Sequence, residues 1–369
     1  MAARATTLAQ AFSDKLLLEM YEMSLTDKIV NRDYEGEVNG IGSKINILNI
    51  DRISEKTYSG SALSADSLTE NNAVLTLSEQ KSFYWKEKSI DNWKSYIKDP
   101  HSTVVAQKAD ERAKNMDEFV LGLYADVAAG NRVGTDYTTG TVTVDVTTGV
   151  VTGSGTTFTS AMVGRGFKAD GHTTWYRVKT FSSTTSITIE DDKDDIDSAY
   201  TGGAIAGGST YTIEANTPVS VTKSNLFAKV ADLKTKLDQA ESYGRSAVPK
   251  SNRWLIAPPE FFNRLVQATG VALQVDRVFE ELVKAGYMGT LLGFQLFEST
   301  RLTGDNTDGY RVLAGHPNWI TFAEKNLEAD IEEDLIGDFG SAYKDLFVYG
   351  AKVADTRRHF AAEMYCTFA

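Results

Sequence analysis

The stretch "AVLTLSEQKSFYWKEK" (Ala73–Lys88) sets Leu75 and Leu77 between Thr76 and Ser78, then places Phe83, Tyr84 and Trp85 among charges. A period of two is that of a strand with one face buried. Upstream, "KINILNI" (Lys44–Ile50) alternates in the same way, and "SEKTYSGSALSADSLTENN" (Ser54–Asn72) between them is polar and rich in serine. Together they predict a long extended excursion over 34–90 with little apolar material of its own to cover it. A connection of that length is usually functional or disordered.

On either side the period changes. Residues 7–31 read as a helix through Leu8, Phe12, Leu16 and Tyr21. Downstream, Asp99 can cap a helix and Pro100 can take its first position, where a missing N–H costs nothing. Val105, Ala109, Met116, Phe119, Leu123 and Val127 form one apolar stripe, which Gly130 can end. Such a helix is a rod of roughly 40 Å.

Residues 135–214 are of another kind. Val142, Val144 and Val146 alternate with threonine and aspartate, and short strands are predicted near 140–146, 149–152, 166–168, 174–181, 185–190 and 209–213. Glycine, serine and threonine punctuate them, the composition of a small β-sandwich or barrel. A domain is tolerated as an insertion when its two ends lie close together. The segment holds ten acids and five bases, a balance of −5.

Helix returns over Lys223–Tyr243, with Leu226, Val230, Leu233, Leu237 and Ala240 on one face and Gly244 as its stop. "RWLIAP" (Arg253–Pro258) reads as a buried strand, a helix follows Pro259, and another is predicted at Asp276–Ala285. The last hundred residues alternate strands with polar turns, so the outer chain is α+β.

At 369 residues the chain has room for two or three domains. A formal charge of −12 argues against a surface built to grip nucleic acid. The single cysteine, Cys366, excludes an intrachain disulfide framework and reads as a buried thiol. Asp14 and Lys15 break any signal-peptide core, and no stretch is apolar enough to span a membrane. These features imply a soluble protein of a reducing compartment.

Catalytic signatures are sparse. "GSGTTF" has Phe158 where a dinucleotide loop needs glycine, and no GxxxxGK[ST], GxSxG or HExxH occurs. His101, His172, His316 and His359 are not paired at helical spacing. "EDDKDDID" (Glu190–Asp197) crowds six carboxylates, of which Asp192, Asp194 and Asp195 are the metal-ligand candidates. It lacks the glycine and closing glutamate of a calcium loop, so a solvated acidic turn is the favoured reading. No cofactor is implied. Trp175 and Tyr176 are the one aromatic pair in the β segment that suits a sugar.

In order, the motifs resemble a tailed-phage major capsid protein of the Hong Kong 97 fold. "YEGEVNGIGSKINI" (Tyr34–Ile47) resembles the opening of that family's extended E-loop, and "AVLTLSEQKSFYWKEKSIDNW" (Ala73–Trp93) its return strand before the spine helix. "SNRWLIAPPEFFNRLV" (Ser251–Val266), "GYMGTLLGFQLFES" (Gly286–Ser299) and "DLFVYGAKV" (Asp345–Val353) resemble its later strand and helix segments. Ser43–Lys44 stands where relatives often carry Asp-Thr. The resemblance leaves out 135–214.

It implies a non-enzymatic shell subunit. The expected parts are an N-terminal arm (1–33), an E-loop (34–90), a peripheral domain with its spine helix (91–134), an inserted all-β accessory domain (135–214), and the axial domain with the rest of the peripheral domain (215–369). The E-loop would lie across a neighbouring subunit, with Lys44, Arg52, Glu55, Lys56 and Tyr58 as interface candidates. Lys44 and Lys56 are also candidates by type for covalent cross-linking, although an exposed lysine is normally only solubilising. Partners would be many copies of the chain in pentamers and hexamers, a separate scaffolding protein, a portal, a decoration protein, and double-stranded DNA held without sequence-specific contacts. The location would be the virion, assembled in host cytoplasm without a membrane. The insert would clamp neighbouring subunits or bind host-surface glycans. The alternatives are a tail-tube or decoration protein, against which the long helices speak, and an enzyme with a carbohydrate-binding insert, which lacks a catalytic constellation.

Overall fold

The computed structural model describes residues 24–34, 44–50, 55, 57, 58, 70–88, 100–192, 199–240, 245–272, 289–332 and 339–369. In chain order, helix α1 (Thr26–Ile29) precedes strands β1 (Lys44–Ile50), β2 (Glu70–Thr76) and β3 (Glu79–Lys88), then the long helix α2 (Pro100–Leu121). Strand β4 (Arg132–Val133) leads to β5 (Thr135–Tyr137), β6 (Thr141–Val144), β7 (Val150–Ser154), β8 (Gly166–Ala169), β9 (Tyr176–Ser183), β10 (Ser186–Asp191), β11 (Ile205–Ser209) and β12 (Tyr211–Thr217). After β13 (Val219–Val221) come helix α3 (Leu226–Asp238), β14 (Arg253–Ala257), helix α4 (Pro259–Ala272), β15 (Thr290–Leu291) and β16 (Phe294–Glu298). The chain closes with β17 (Tyr310–Gly315), β18 (Ile320–Glu332), β19 (Gly340–Val353) and β20 (Ala361–Phe368).

The predicted excursion divides in two. β1 and β2 form an antiparallel hairpin, Lys44 opposite Thr76 through Ile50 opposite Glu70. The buried Ile45, Ile47, Leu75 and Leu77 pack on Ala323 of β18 and Val348 of β19. Residues 79–88 do not continue that hairpin. They join β18 and β19 as an edge strand, with Tyr349 opposite Glu79 and Gly340 opposite Lys88. A long β19 pairs with one side of β3 along its whole length, and Trp85 stacks on Tyr343 with ring centroids 4.8 Å apart.

Helix α2 stops at Leu121, short of Gly130, and continues only as a 3₁₀ turn over Gly122–Asp126. The buried face is Asp117, Val120 and Leu121, with Met116, Phe119 and Leu123 packed beside it, while Ala109 is exposed. The helix ends early because the next backbone groups are claimed elsewhere. Ala128 N–H donates to the Arg358 carbonyl, and the amides of Ala129 and Gly130 donate to Asp192 and Glu214. The Ala125 and Asp126 carbonyls accept from the guanidinium groups of Arg132 and Arg358. Of the predicted helix 7–31, residues 7–23 lie outside the described residues and the rest is helical only over Thr26–Ile29; Asp99 and the predicted helix at Asp276–Ala285 also lie outside them.

A seven-stranded sheet forms the main core, in the order β13-β20-β17-β14-β16-β15, with β4 also on β20. β14 is buried at every position, which is why "RWLIA" reads as an apolar run rather than an alternation. Leu226, Val230, Leu233 and Leu237 of α3 are buried in the same core.

Residues 135–217 make a separate eight-stranded sheet, antiparallel at every pairing, in the order β11-β6-β7-β10-β9-β8-β12-β5. It wraps a core of its own built from Val142, Val151, Phe158, Phe167, Ile187 and Ile213, among others. β4 and β13 lie end to end along one edge of β20, both parallel to it. Arg132 and Val133 face Glu363 and Met364, and Val219, Ser220 and Val221 face Cys366, Thr367 and Phe368. The whole eight-stranded sheet leaves and returns between these two pieces.

Candidate functional site

Of the interface candidates, Lys44 and Glu55 are exposed and Tyr58 is 69% exposed, a large aromatic with little cover from its own chain. Arg52 and Lys56 lie outside the described residues.

The long helix α2 is fixed by two buried carboxylates. Asp117, 1% exposed, accepts hydrogen bonds from the amides of Leu25 (3.0 Å) and Thr26 (2.9 Å) and from the hydroxyl of Ser24, and it pairs with Arg301. It thereby supplies the acceptor that the free amides of α1 need. Asp345 of β19 pairs with Lys108 and, at 2.7 Å, with Arg112, both from α2, and accepts from the Phe83 amide. Burial opposes its charge, but the hydrogen bonds from Lys108, Arg112 and Phe83 outweigh that and hold its carboxyl below the usual range. Arg112 also lies over the Phe347 ring, 3.9 Å from the centroid.

A third cluster joins the eight-stranded sheet to the main core. Arg132 pairs at 2.9 Å with Glu214 and at 2.9 Å with Glu363. Glu363 is wholly buried and also meets Arg311 at 2.8 Å and Arg165 at 3.5 Å. Burial works against the charge on Arg132, yet Glu214 and Glu363 raise its pKa above the ordinary value. Glu214 accepts from the amides of Gly130 (2.7 Å) and Gly166 (3.0 Å). A bulge in β12, with Ala215 at φ 45°, lies directly beside this glutamate.

Asp192 belongs to the same junction. Its carboxylate accepts from the Ala129 amide at 2.7 Å and pairs with Arg358 at 2.9 Å and Arg245 at 3.6 Å, so arginines surround it. Asp194 and Asp195 lie outside the described residues. Among the described residues no group of three or more His, Cys, Asp or Glu is placed to hold a metal ion.

The aromatic pair considered for a sugar is occupied. The Trp175 indole sits over Gly130, so close that a Cβ there would fall 2.4 Å from the ring. Tyr176 is buried against His172 and Tyr200. Burial likewise pushes the Cys366 thiol well above its ordinary range, leaving it unreactive.

His359 lies at the edge of this junction, with Nε2 donating to the Ser246 carbonyl at 2.8 Å. Burial, aided by Arg245, lowers its pKa to about 4, although the Ser246 carbonyl and Asp192 act the other way. The folded state therefore resists protonation while the unfolded chain takes up a proton near pH 6.5. Stability present above pH 6.5 is lost as pH falls toward 4, by up to about 3 kcal/mol from this one group. Denaturant unfolding at pH 7.5, 6 and 4.5 should show that slope in the wild type and a shallower one in His359→Gln. Equal slopes would contradict it.

No protein-family model and no curated protein sequence matches the chain. Solved structures do. One from Mycobacterium phage Che8 is similar over 98% of this chain and 98% of its own, at 17% identity and a TM-score of 0.59. The asymmetric unit of the mature capsid of bacteriophage PhiM1 is similar over 98% of this chain and 92% of its own, at 11% identity and a TM-score of 0.55. The capsid of cyanophage P-SCSP1u is similar over 98% of this chain and 94% of its own, at 16% identity and a TM-score of 0.53. The α+β fold implied by the motifs is borne out: this chain has the fold of phage capsid proteins.

Proposed function

We propose that the chain is the structural, non-enzymatic subunit of an icosahedral tailed-phage capsid, self-assembling as pentamers and hexamers around double-stranded DNA. The observation that carries this reading is the likeness to the PhiM1 mature capsid over 98% of this chain and 92% of its own.

The hairpin β1–β2 supports it from within. Its base is held by Ile45, Ile47, Leu75 and Leu77, while Tyr58, in the connection between the two strands, is left uncovered. A neighbouring subunit is the natural cover, with Lys44, Arg52, Glu55, Lys56 and Tyr58 at that contact. The acidic balance of −12 suits a wall that holds DNA without adhering to it. Among the described residues no helix is long and apolar enough to cross a membrane. A separate scaffolding protein, a portal and a decoration protein complete the set of partners, with assembly in the host cytoplasm and residence in the virion.

Residues 135–214 are an accessory domain inserted into this subunit. The buried Arg132–Glu214, Arg165–Glu363 and Asp192–Arg358 pairs argue that it is held rigidly, as a clamp or fixed projection. Use of Trp175 at Gly130 weighs against the glycan role.

The test is negative-stain electron microscopy with light scattering on the protein, alone and co-expressed with a scaffolding protein. Shells, pentamers or hexamers are expected. A strictly monomeric population with scaffold present overturns the reading.

A further inference from the structure

Three residues other than glycine adopt positive φ among those described: Ala215, Asn252 and Leu292. Asparagine tolerates that region, and Ala215 lies in the bulge beside Glu214. Leu292 has no such internal reason. It begins a two-residue turn between β15 and β16, at φ 51°, with Gly293 at φ 91°. Two positive φ values in succession make the hairpin turn that asparagine-glycine fits best. A leucine there sets its Cβ against the backbone.

Among the described residues the side chain gains nothing in return: it is 44% exposed, and it belongs neither to the main core nor to the residues packed against that core. An exposed leucine alone is ordinary, and a strained turn alone is tolerable. Their coincidence at one residue is a double cost that asparagine would remove. The turn also stands at the end of the seven-stranded sheet, where β15 is the last strand in the order.

We infer that Leu292 is an apolar contact to a second copy of this chain, inserted when subunits assemble. This rests on the proposed self-assembly and extends it to one residue. The occupant is argued from the fold shared with the PhiM1 mature capsid, an assembled shell, and from the turn's place at the last strand of that sheet among the described residues. Strain retained in a subunit and repaid in an assembly is the pattern expected of a functional outlier.

The contact makes a paired prediction that a merely structural leucine does not. In unassembled protein, Leu292→Asn and Leu292→Gly should raise Tm, by about 2 °C. The same variants should raise the protein concentration needed for assembly about tenfold, the effect of losing part of a leucine's burial. Leu292→Met, which keeps the apolar side chain and the strain, should assemble like the wild type with no gain in Tm. Light scattering against concentration, with calorimetry on the unassembled subunit, reads both. Unchanged assembly in Leu292→Asn and Leu292→Gly overturns the inference. So does a fall in Tm, which would mean that the same subunit covers the side chain. Failure of the wild type itself to assemble with scaffold present overturns the capsid reading instead, and this inference with it.

Discussion

Glu363→Gln is expected to destabilise the subunit by about 3–5 kcal/mol, the usual result of removing one partner from a buried ion pair. The carboxylate is wholly buried and faces Arg132, Arg311 and Arg165 at 2.9, 2.8 and 3.5 Å. Glutamine keeps the shape but withdraws the charge, leaving three guanidinium groups with Glu214 as the one other carboxylate ion-paired to any of them among the described residues. Arg132 holds both the Ala125 carbonyl and Glu214, so the damage should reach the end of α2 and the anchorage of the eight-stranded sheet together. Guanidinium unfolding followed by tryptophan fluorescence is a direct readout, since Trp254 and Trp319 lie in the adjoining core. A loss below about 1 kcal/mol would mean that the arginines relax to solvent and that the cluster contributes little.

The second large effect is expected at Asp117. Asp117→Asn should cost about 3 kcal/mol, because its carboxylate serves two backbone amides, two hydroxyls and Arg301 at once. An asparagine amide turned toward those donors satisfies at most part of them. The effect should be local as well as global. Hydrogen exchange at Leu25 and Thr26 should accelerate well beyond that at Val120, whose amide lies within the helix itself. Uniform acceleration would show that the segment is held by Leu25 and Ile29 packing in the core rather than by the carboxylate.

Much of this architecture was legible from periodicity. Val142 and Val144, Ile45 and Ile47, and the leucine face of α3 all point where their spacing puts them. What escaped was long-range. Nothing local distinguishes Glu79–Lys88 as the partner of β19 rather than the return of the hairpin, because the alternation is the same in either sheet. The early end of α2 was hidden for a similar reason: the acceptors that take the Ala129 and Gly130 amides are Asp192 and Glu214, far along the chain. Asp192 itself read as part of an acidic turn because its arginine partners, Arg245 and Arg358, are distant in sequence. One local signal for the buried cluster does stand in the sequence. Glu363 stands alone as a charge in "AAEMYC", and a lone acid in a buried strand needs a cation from elsewhere. The interface candidates gained less, since an exposed Tyr58 identifies a surface without identifying its cover.

The two short strands beside β20 have a consequence for the protein's modularity. Arg132 and Val133 oppose Glu363 and Met364, and Val219 to Val221 oppose Cys366 to Phe368, so Tyr365 alone separates the two runs. Joining Gly134 directly to Val219 would put Gly134 opposite Tyr365 and leave six residues facing six, with no slip in register. Excision of residues 135–218 is therefore expected to yield a folded remainder, weakened by loss of the Arg132–Glu214, Arg165–Glu363 and Asp192–Arg358 pairs but retaining a cooperative transition. A molten or insoluble product would show that the two parts depend on each other. If the cut is tolerated, this single peptide link is a splice point. There a gene can acquire, exchange or discard a whole folded module, and an engineer can seat a different one, without redrawing a single ladder of the remaining sheets.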